Sequence, residues 1–361
     1  LLVTEEKYKN YLDYNNFSFD NINLLLTDLQ VQNDLELSAR LEDLAATDNT
    51  GFQIRHISCD TILMDKANAE MRGLLVDLGE TRVSNYFRMG YGDFSAFSDF
   101  LNRVILTAHL ENSVVRLDDL MHFVKGLGKV PVVQQNRNEL IYLSGRYFGK
   151  VNNLAGREVQ IRVGNKLDLA GSFNTRDLTN PDNTVLNIRL DKFNTSMRKI
   201  RMLLPAFQPP DNFYKLGSIN FTGRFDGYIE NFVAYGKMKT DLGSAELDMK
   251  LDITRGTSRA NYSGTLDLRN FNLGRWSDNK DLGLVNFRSR VDDGNGLTLN
   301  TVNADLRAKV GSLTYKGYDY RDFEIDGKVD KNTFNGIFKI NDKNIDFVFE
   351  GAAEYLNNKA F

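Results

Sequence analysis

Cysteine is nearly absent from this chain. Cys59 stands alone, so no disulfide can form within the molecule, and the cross-linked framework of small secreted domains is excluded. Histidine is almost as scarce, with His56, His109 and His122 sharing no spacing. A zinc site needs closely spaced His or Cys ligands, so no metal centre is expected. Positive charge is not in excess either: 45 basic residues stand against 48 acidic ones, a net charge of -3. That leaves no electrostatic case for nucleic acid. No apolar run approaches the roughly 20 residues of a membrane-spanning helix, and the first residues carry no signal-peptide pattern. Nor is there a phosphate-binding glycine-rich loop leading into a helix.

What the chain does have is alternation. In Ala245-Glu-Leu-Asp-Met-Lys-Leu-Asp-Ile253 five apolar residues alternate without a break with Glu246, Asp248, Lys250 and Asp252. Strand side chains point to opposite faces with period two, so this stretch has one oily and one charged face. The same pattern runs through Ile219–Phe225 and Tyr262–Leu268. Further strands are predicted at Phe17–Phe19, Ile22–Leu24, Leu35–Leu41, Gly51–Ile57, Thr61–Met64, Ala69–Leu75 and Thr81–Phe87. Towards the end they continue at Leu297–Leu299, Val302–Val310, Leu313–Tyr315, Phe323–Val329, Phe334–Ile340 and Ile345–Gly351. Five prolines and 28 glycines, with Asn and Asp between the apolar runs, suit short turns.

Three stretches carry helical spacing. Phe94–Leu106 places apolar residues at three- and four-residue steps, with Ser95 or Ser98 available as a cap and a strand from Val104 competing for its end. Arg116–Leu127 has Leu117, Leu120 and Val124, with Asp118 and Asp119 in the first turn. Met197, Ile200, Leu203 and Leu204 form a third, stopped by Pro205. Residues 1–14 read as either a short helix or an incoming strand.

The second half repeats itself. Leu143–Leu154 matches Phe221–Phe232 at an offset of 78, and Leu190–Asn194 matches Leu268–Asn272 at the same offset. Leu282–Arg290 echoes Leu216–Arg224 at an offset of 66. Recurring units indicate an array stacked neighbour on neighbour. The polar run Gln134–Asn138 marks a boundary. It separates a β-rich segment with one or two short helices, 1–133, from repeated units at 134–361, with spans of about 140–215, 216–281 and 282–356. The inserts after Phe193-Asn194 and Phe271-Asn272 are candidates for caps at one rim. The chain starts without Met and is still in a strand pattern at Phe347–Gly351, which reads as a piece of a longer protein.

So many strands outnumber the helices that could cover them, and the connections are too short for parallel crossovers. Two packed sheets, a barrel or a single bent sheet remain, and the repeat favours the last, because a trough lengthens by adding units. The expectation is an all-β fold: a long antiparallel sheet curled into a trough, with a few short helices at the rim.

Gly264–Trp276 (GTLDLRNFNLGRW), Tyr315–Gly327 (YKGYDYRDFEIDG), Phe334-Asn-Gly336 and Asp346–Gly351 are similar to the TamB branch of the AsmA-like bacterial envelope proteins, in its Bacteroidota form. The resemblance covers residues 140–356 well and 15–130 loosely. It implies a taco-shaped sheet with an oily interior, spanning the periplasm between inner and outer membranes. It further implies phospholipid as cargo, an outer-membrane β-barrel partner, membrane association at both ends and assistance to outer-membrane protein assembly.

Candidate chemistry is thin. His56 and Cys59 are three residues apart, a step that in a strand puts them on opposite faces, so Cys59 reads as a buried inert thiol. Asp248, Asp252 and Asp267 fall on the outward parity beside Lys250 and Arg269, where cross-strand charge pairs are expected. Asp292-Asp-Gly-Asn-Gly296 lacks the ligand spacing of a calcium loop and reads as a tight turn. No catalytic residue, metal or cofactor is expected, and the chain is not read as an enzyme. The functional feature is the inward apolar parity. It comprises Ile219, Phe221, Phe225, Leu247, Met249, Leu251, Ile253, Tyr262, Leu266 and Leu268, continued by Leu306, Ile325, Val329 and Phe338. These residues either form the core of a sandwich or line a lipid groove. The groove implies a non-enzymatic lipid conduit. The alternatives are a chaperone-like scaffold that binds client strands at its sheet edges, and an adhesive or carbohydrate-binding solenoid with exposed aromatic rows.

Overall fold

The computed structural model describes residues 11–13, 16–32, 36–123, 127–129, 131–180, 182–205, 207–298, 300–356 and 359–360. Most of segment 1–14, together with Leu35, Val124 and Leu299, lies outside the described residues, and so do the expectations that fall there. The fold is all-β, with 65% strand and 13% helix, so helices cannot cover the strand faces. The chain divides into two compact units, Leu1–Thr184 and Val185–Phe361. The Gln134–Asn138 run lies within the first of them, at the end of a short helix and the turn that follows.

The first unit holds β1 (Phe19–Val31), β2 (Leu37–Asp48), β3 (Gln53–Met64), β4 (Asn68–Asp77), β5 (Arg82–Gly90), β6 (Ile105–Arg116), β7 (Leu140–Lys150), β8 (Asn153–Val163) and β9 (Leu167–Arg176). Each pairs antiparallel with the next. Strands longer than the apolar runs result, because ladder hydrogen bonds continue through polar residues. Gly51–Ile57 and Thr61–Met64 merge into β3, and the run from Ile22 becomes part of β1. Register shifts bend the strands where Asn21, Asp28, Gly73 and Asn112 adopt positive φ. Asn, Asp and Gly are the residues that tolerate this conformation at a bulge. Leu41, Cys59 and Leu74 form one small core, and Ala69, Tyr91, Ala96 and Val104 another.

The helix expected over Phe94–Leu106 is shorter than its pattern. Phe94–Asp99 is a 3-10 turn followed by α1 (Phe100–Arg103), and β6 takes over at Ile105. The cap is Asp93, whose carboxylate accepts the Ser95 N–H at 2.8 Å, rather than Ser95 or Ser98. The second helix appears as α2 (Leu117–Phe123), with α3 (Pro131–Gln135) further on.

The second unit runs β10 (Val185–Ser196), α4 (Met197–Leu203), a 3-10 turn over Asp211–Leu216, then β11 (Ser218–Tyr228), β12 (Asn231–Thr240), β13 (Gly243–Asp252) and β14 (Asn261–Asn272). After α5 (Leu273–Ser277) come β15 (Leu282–Asn295), β16 (Asn303–Tyr315), β17 (Tyr318–Asp330), β18 (Thr333–Asp342), β19 (Ile345–Leu356) and the two-residue β20 (Lys359–Ala360). β10 to β19 are antiparallel and joined in chain order into a curved sheet that does not close, and β20 pairs only with the end of β19. The repeat has a structural basis. The register shift between Leu190 and Phe193 recurs 78 residues on between Leu268 and Phe271, each time just before the helical insert. Leu297 and Thr298 form no strand. They lie in the turn before β16, where the Thr298 carbonyl accepts the N–H groups of Thr301 and Val302.

Candidate functional site

Two-residue hairpins such as Ile229-Glu230, Asp241-Leu242 and Lys331-Asn332 hold the strands of the second unit in a register that keeps apolar parity aligned from strand to strand. One row runs Phe193, Phe221, Met238, Ala245, Leu268, Phe287, Val310, Phe323, Ile340 and Phe347, each paired with the next. A parallel row runs Leu190, Gly223, Gly236, Leu247, Leu266, Ser289, Ala308, Ile325, Phe338 and Phe349. The opposite face carries charge ladders. Asp267 accepts from Arg288 at 2.8 Å and from Arg269 at 3.4 Å. Asp292 lies within reach of Arg290 and Arg307, and Lys309 within reach of Glu324. Burial pushes the Asp267 carboxyl up, but the two arginines outweigh it and hold it below the ordinary value.

The structure brings together most of the predicted lining. Leu247 pairs with Leu266, Leu251 with Tyr262, and Ile325 with Phe338, all on one face. Phe225 stacks on Phe232 with centroids 4.5 Å apart. Met249 lies opposite Gly264, Leu306 opposite Val291, and Val329 opposite Phe334. Ile253 lies one residue beyond β13, donating its N–H to the Glu230 carbonyl at 2.8 Å. The alternation pointed to none of Met238, Phe232, Val291, Val310, Phe323 or Phe334 as lining. Cross-strand register, readable from the two-residue turns, is the signal that would have found them.

Two environments divide this face. At the rim bearing the helices, Leu216, Ile219, Leu242, Phe271 and Val285 form a dry cluster, each no more than 7% exposed. Phe213 and Trp276 pack over it, Trp276 lying edge-on to Phe213 at 5.1 Å and to Phe271 at 5.7 Å. Ile219 belongs to this plug. Away from it, Phe221, Phe225, Leu247, Met249, Leu251, Tyr262, Leu266, Leu306, Ile325, Val329 and Phe338 are all half-buried. A dry sandwich core would bury such residues fully.

Aromatic rings lie over glycines on this face. A Cβ added at Gly223 or at Gly236 would come within 2.8 Å of the Phe221 ring, and one at Gly294 within 2.7 Å of the Tyr262 ring. A glycine in the neighbouring strand lets the ring lie flat along the sheet, which keeps the apolar surface low. Burial raises the Tyr262 hydroxyl above its usual range, so the ring adds no charge to the face at neutral pH.

Polar side chains elsewhere serve the frame. Cys59 is buried, 3.0 Å from the Thr61 carbonyl and 3.2 Å from that of Arg72, and burial pushes its thiol up. His56 lies 2.6 Å from Asp43, and Tyr86 and His109 are tilted neighbours. His122 on α2 meets Asp48 at 2.6 Å, both buried, and stacks on Phe52 at 4.2 Å. Asp48 also accepts the N–H groups of Thr50 and Phe52. Burial raises its carboxyl, but these hydrogen bonds prevail and set it below the ordinary value. Asp292–Asn295 forms the bulged end of β15 with Asp293 at positive φ, and Gly296 follows the strand, where a simple turn was expected. Among the described residues no group of three His, Cys, Asp or Glu side chains is placed to hold a metal ion, and no helix is long and apolar enough to cross a membrane. Comparison with family models, curated proteins and solved structures gives no match.

Proposed function

We propose that the second unit is a non-enzymatic conduit that carries phospholipid acyl chains along its apolar face. The supporting observation is the long aligned apolar face, on which Phe221, Phe225, Leu247, Leu251, Leu266 and Phe338 stay partly exposed while only some row members, such as Phe323 and Ile340, pack dry. Ten strands spaced by about 4.8 Å give a track of about 43 Å. Each methylene kept from water is worth about 0.8 kcal/mol, so a 16-carbon chain gains about 12 kcal/mol. Because successive strands offer similar surface, movement along the rows meets only low barriers. The similarity of residues 140–356 to the TamB branch supports the same reading. It extends the proposal to a periplasmic bridge between inner and outer membranes that meets an outer-membrane β-barrel partner.

A second reading, a scaffold for client strands, is favoured by β1. It pairs only with β2 among the described residues, and it exposes Ile22, Leu24, Leu25, Leu29 and Val31 by 52–67%. An exposed oily edge of this kind is a template for strand addition.

A photoreactive side chain tests the conduit. Placed at Phe225 or Leu251 in cells, it should form lipid adducts, whereas at the outward Lys250 it should form none. Equal labelling at both parities overturns the proposal. Adducts with nascent barrel proteins from β1, without lipid at Leu251, would favour the scaffold.

A further inference from the structure

The rim insert after β10 differs in charge from the rest of the chain. Residues 197–215 carry Arg198, Lys199, Arg201 and Lys215 against a single acid, Asp211, in a protein of net charge -3. Lys215 is engaged by Asp278 at 2.5 Å. Arg198, Lys199 and Arg201 have no ion pair among the described residues, and Arg201 Nη1 donates only to the Tyr214 hydroxyl at 3.1 Å. Met197 packs against the plug beneath, so α4 has a defined inner side. Its solvent side carries Arg198, Arg201 and Met202 at steps of three and four residues. Met202 is 59% exposed and Leu204 is 41% exposed. Arg198, Arg201, Met202 and Tyr214 line a shallow depression of about 470 Å³.

We infer that this rim docks on an anionic phospholipid bilayer, with Arg198 and Arg201 on headgroup phosphates and Met202 and Leu204 in the acyl boundary. Solvent-facing guanidinium groups beside apolar side chains that protrude into water match a surface that is anionic outside and oily beneath. A tyrosine hydroxyl at the same depth suits the interfacial layer. A soluble anion would satisfy the arginines but leave Met202 and Leu204 in water. The inference stands apart from the conduit: a docked rim is detectable even if the apolar face carries no lipid.

The test is flotation of the whole chain with vesicles of phosphatidylcholine alone or containing phosphatidylglycerol. Binding is expected only to the anionic vesicles and should weaken as salt rises. Each arginine removed should weaken it roughly fivefold, so Arg198→Gln with Arg201→Gln should cost about 25-fold. A control pair, Arg269→Gln with Arg290→Gln, removes the same charge from the outer ladder and should retain binding. An environment-sensitive dye on Met202→Cys, with Cys59 buried, should brighten with anionic vesicles and not with inorganic phosphate. Equal binding to both vesicle types, equal loss in the control pair, or a dye that stays dark on bound protein each overturns the inference.

Discussion

Leu242 and Leu251 share one side chain and face the same side of the sheet, yet they sit in different surroundings. Leu242, in the β12–β13 turn, is 2% exposed within the plug. Leu251, on β13, is half-buried opposite Tyr262. Truncating Leu242 to Ala removes buried carbons and leaves a cavity that the plug cannot fill, at about 3 kcal/mol. Truncating Leu251 removes about three carbon groups, worth some 2.4 kcal/mol if all were buried. About a third of that surface at most is already wet and no closed cavity forms, so about 1.6 kcal/mol is expected. Trp276, the one tryptophan, packs against the plug, so its fluorescence follows unfolding of the second unit alone. With a slope of about 2 kcal/mol per molar urea, the midpoint should fall by about 1.5 M for Leu242→Ala and about 0.8 M for Leu251→Ala. Equal shifts would mean that the apolar face is dry packed core, and the open-track reasoning would fail.

Gly236→Ala drives a Cβ into the Thr222 carbonyl oxygen, with the Gly223 backbone and the Phe221 ring at 2.8 Å; displacing backbone as well as ring should cost about 3 kcal/mol, read as a drop of about 1.5 M in the same titration. Asp48 titrates below its ordinary value in the folded protein, so its contribution is complete above the unfolded carboxyl's range and is lost as pH falls through the folded value. Asp48→Asn should therefore weaken the first unit at pH 7 by about 2 kcal/mol and narrow its stability difference between pH 7 and pH 3, measured by circular dichroism. A variant that keeps the full acid sensitivity would exclude Asp48 as a source of it.

Several elements were legible without coordinates. Alternation in Ala245–Ile253 assigned side chains to faces correctly, because period-two geometry is a property of the strand itself. The offset of 78 located the helical inserts after Phe193-Asn194 and Phe271-Asn272, while the bulges that precede them appeared only in the strand register. Helix length was not legible. Phe94–Leu106 has the right spacing for a longer helix, but ladder bonds from β5 and β7 claim Ile105 onward for β6, and propensity yields to such tertiary pairing.

The sequence by itself determined which residues within one strand share a face, because alternation acts over neighbouring residues. It did not separate Ile219 from Phe221, two residues apart on one strand and equally apolar. Only the tertiary structure made Ile219 part of a dry plug and left Phe221 at the edge of an open face. That outcome depends on where Phe213, Leu216 and Trp276 fold over the sheet. Burial is set by what approaches from distant parts of the chain, and no local pattern encodes it.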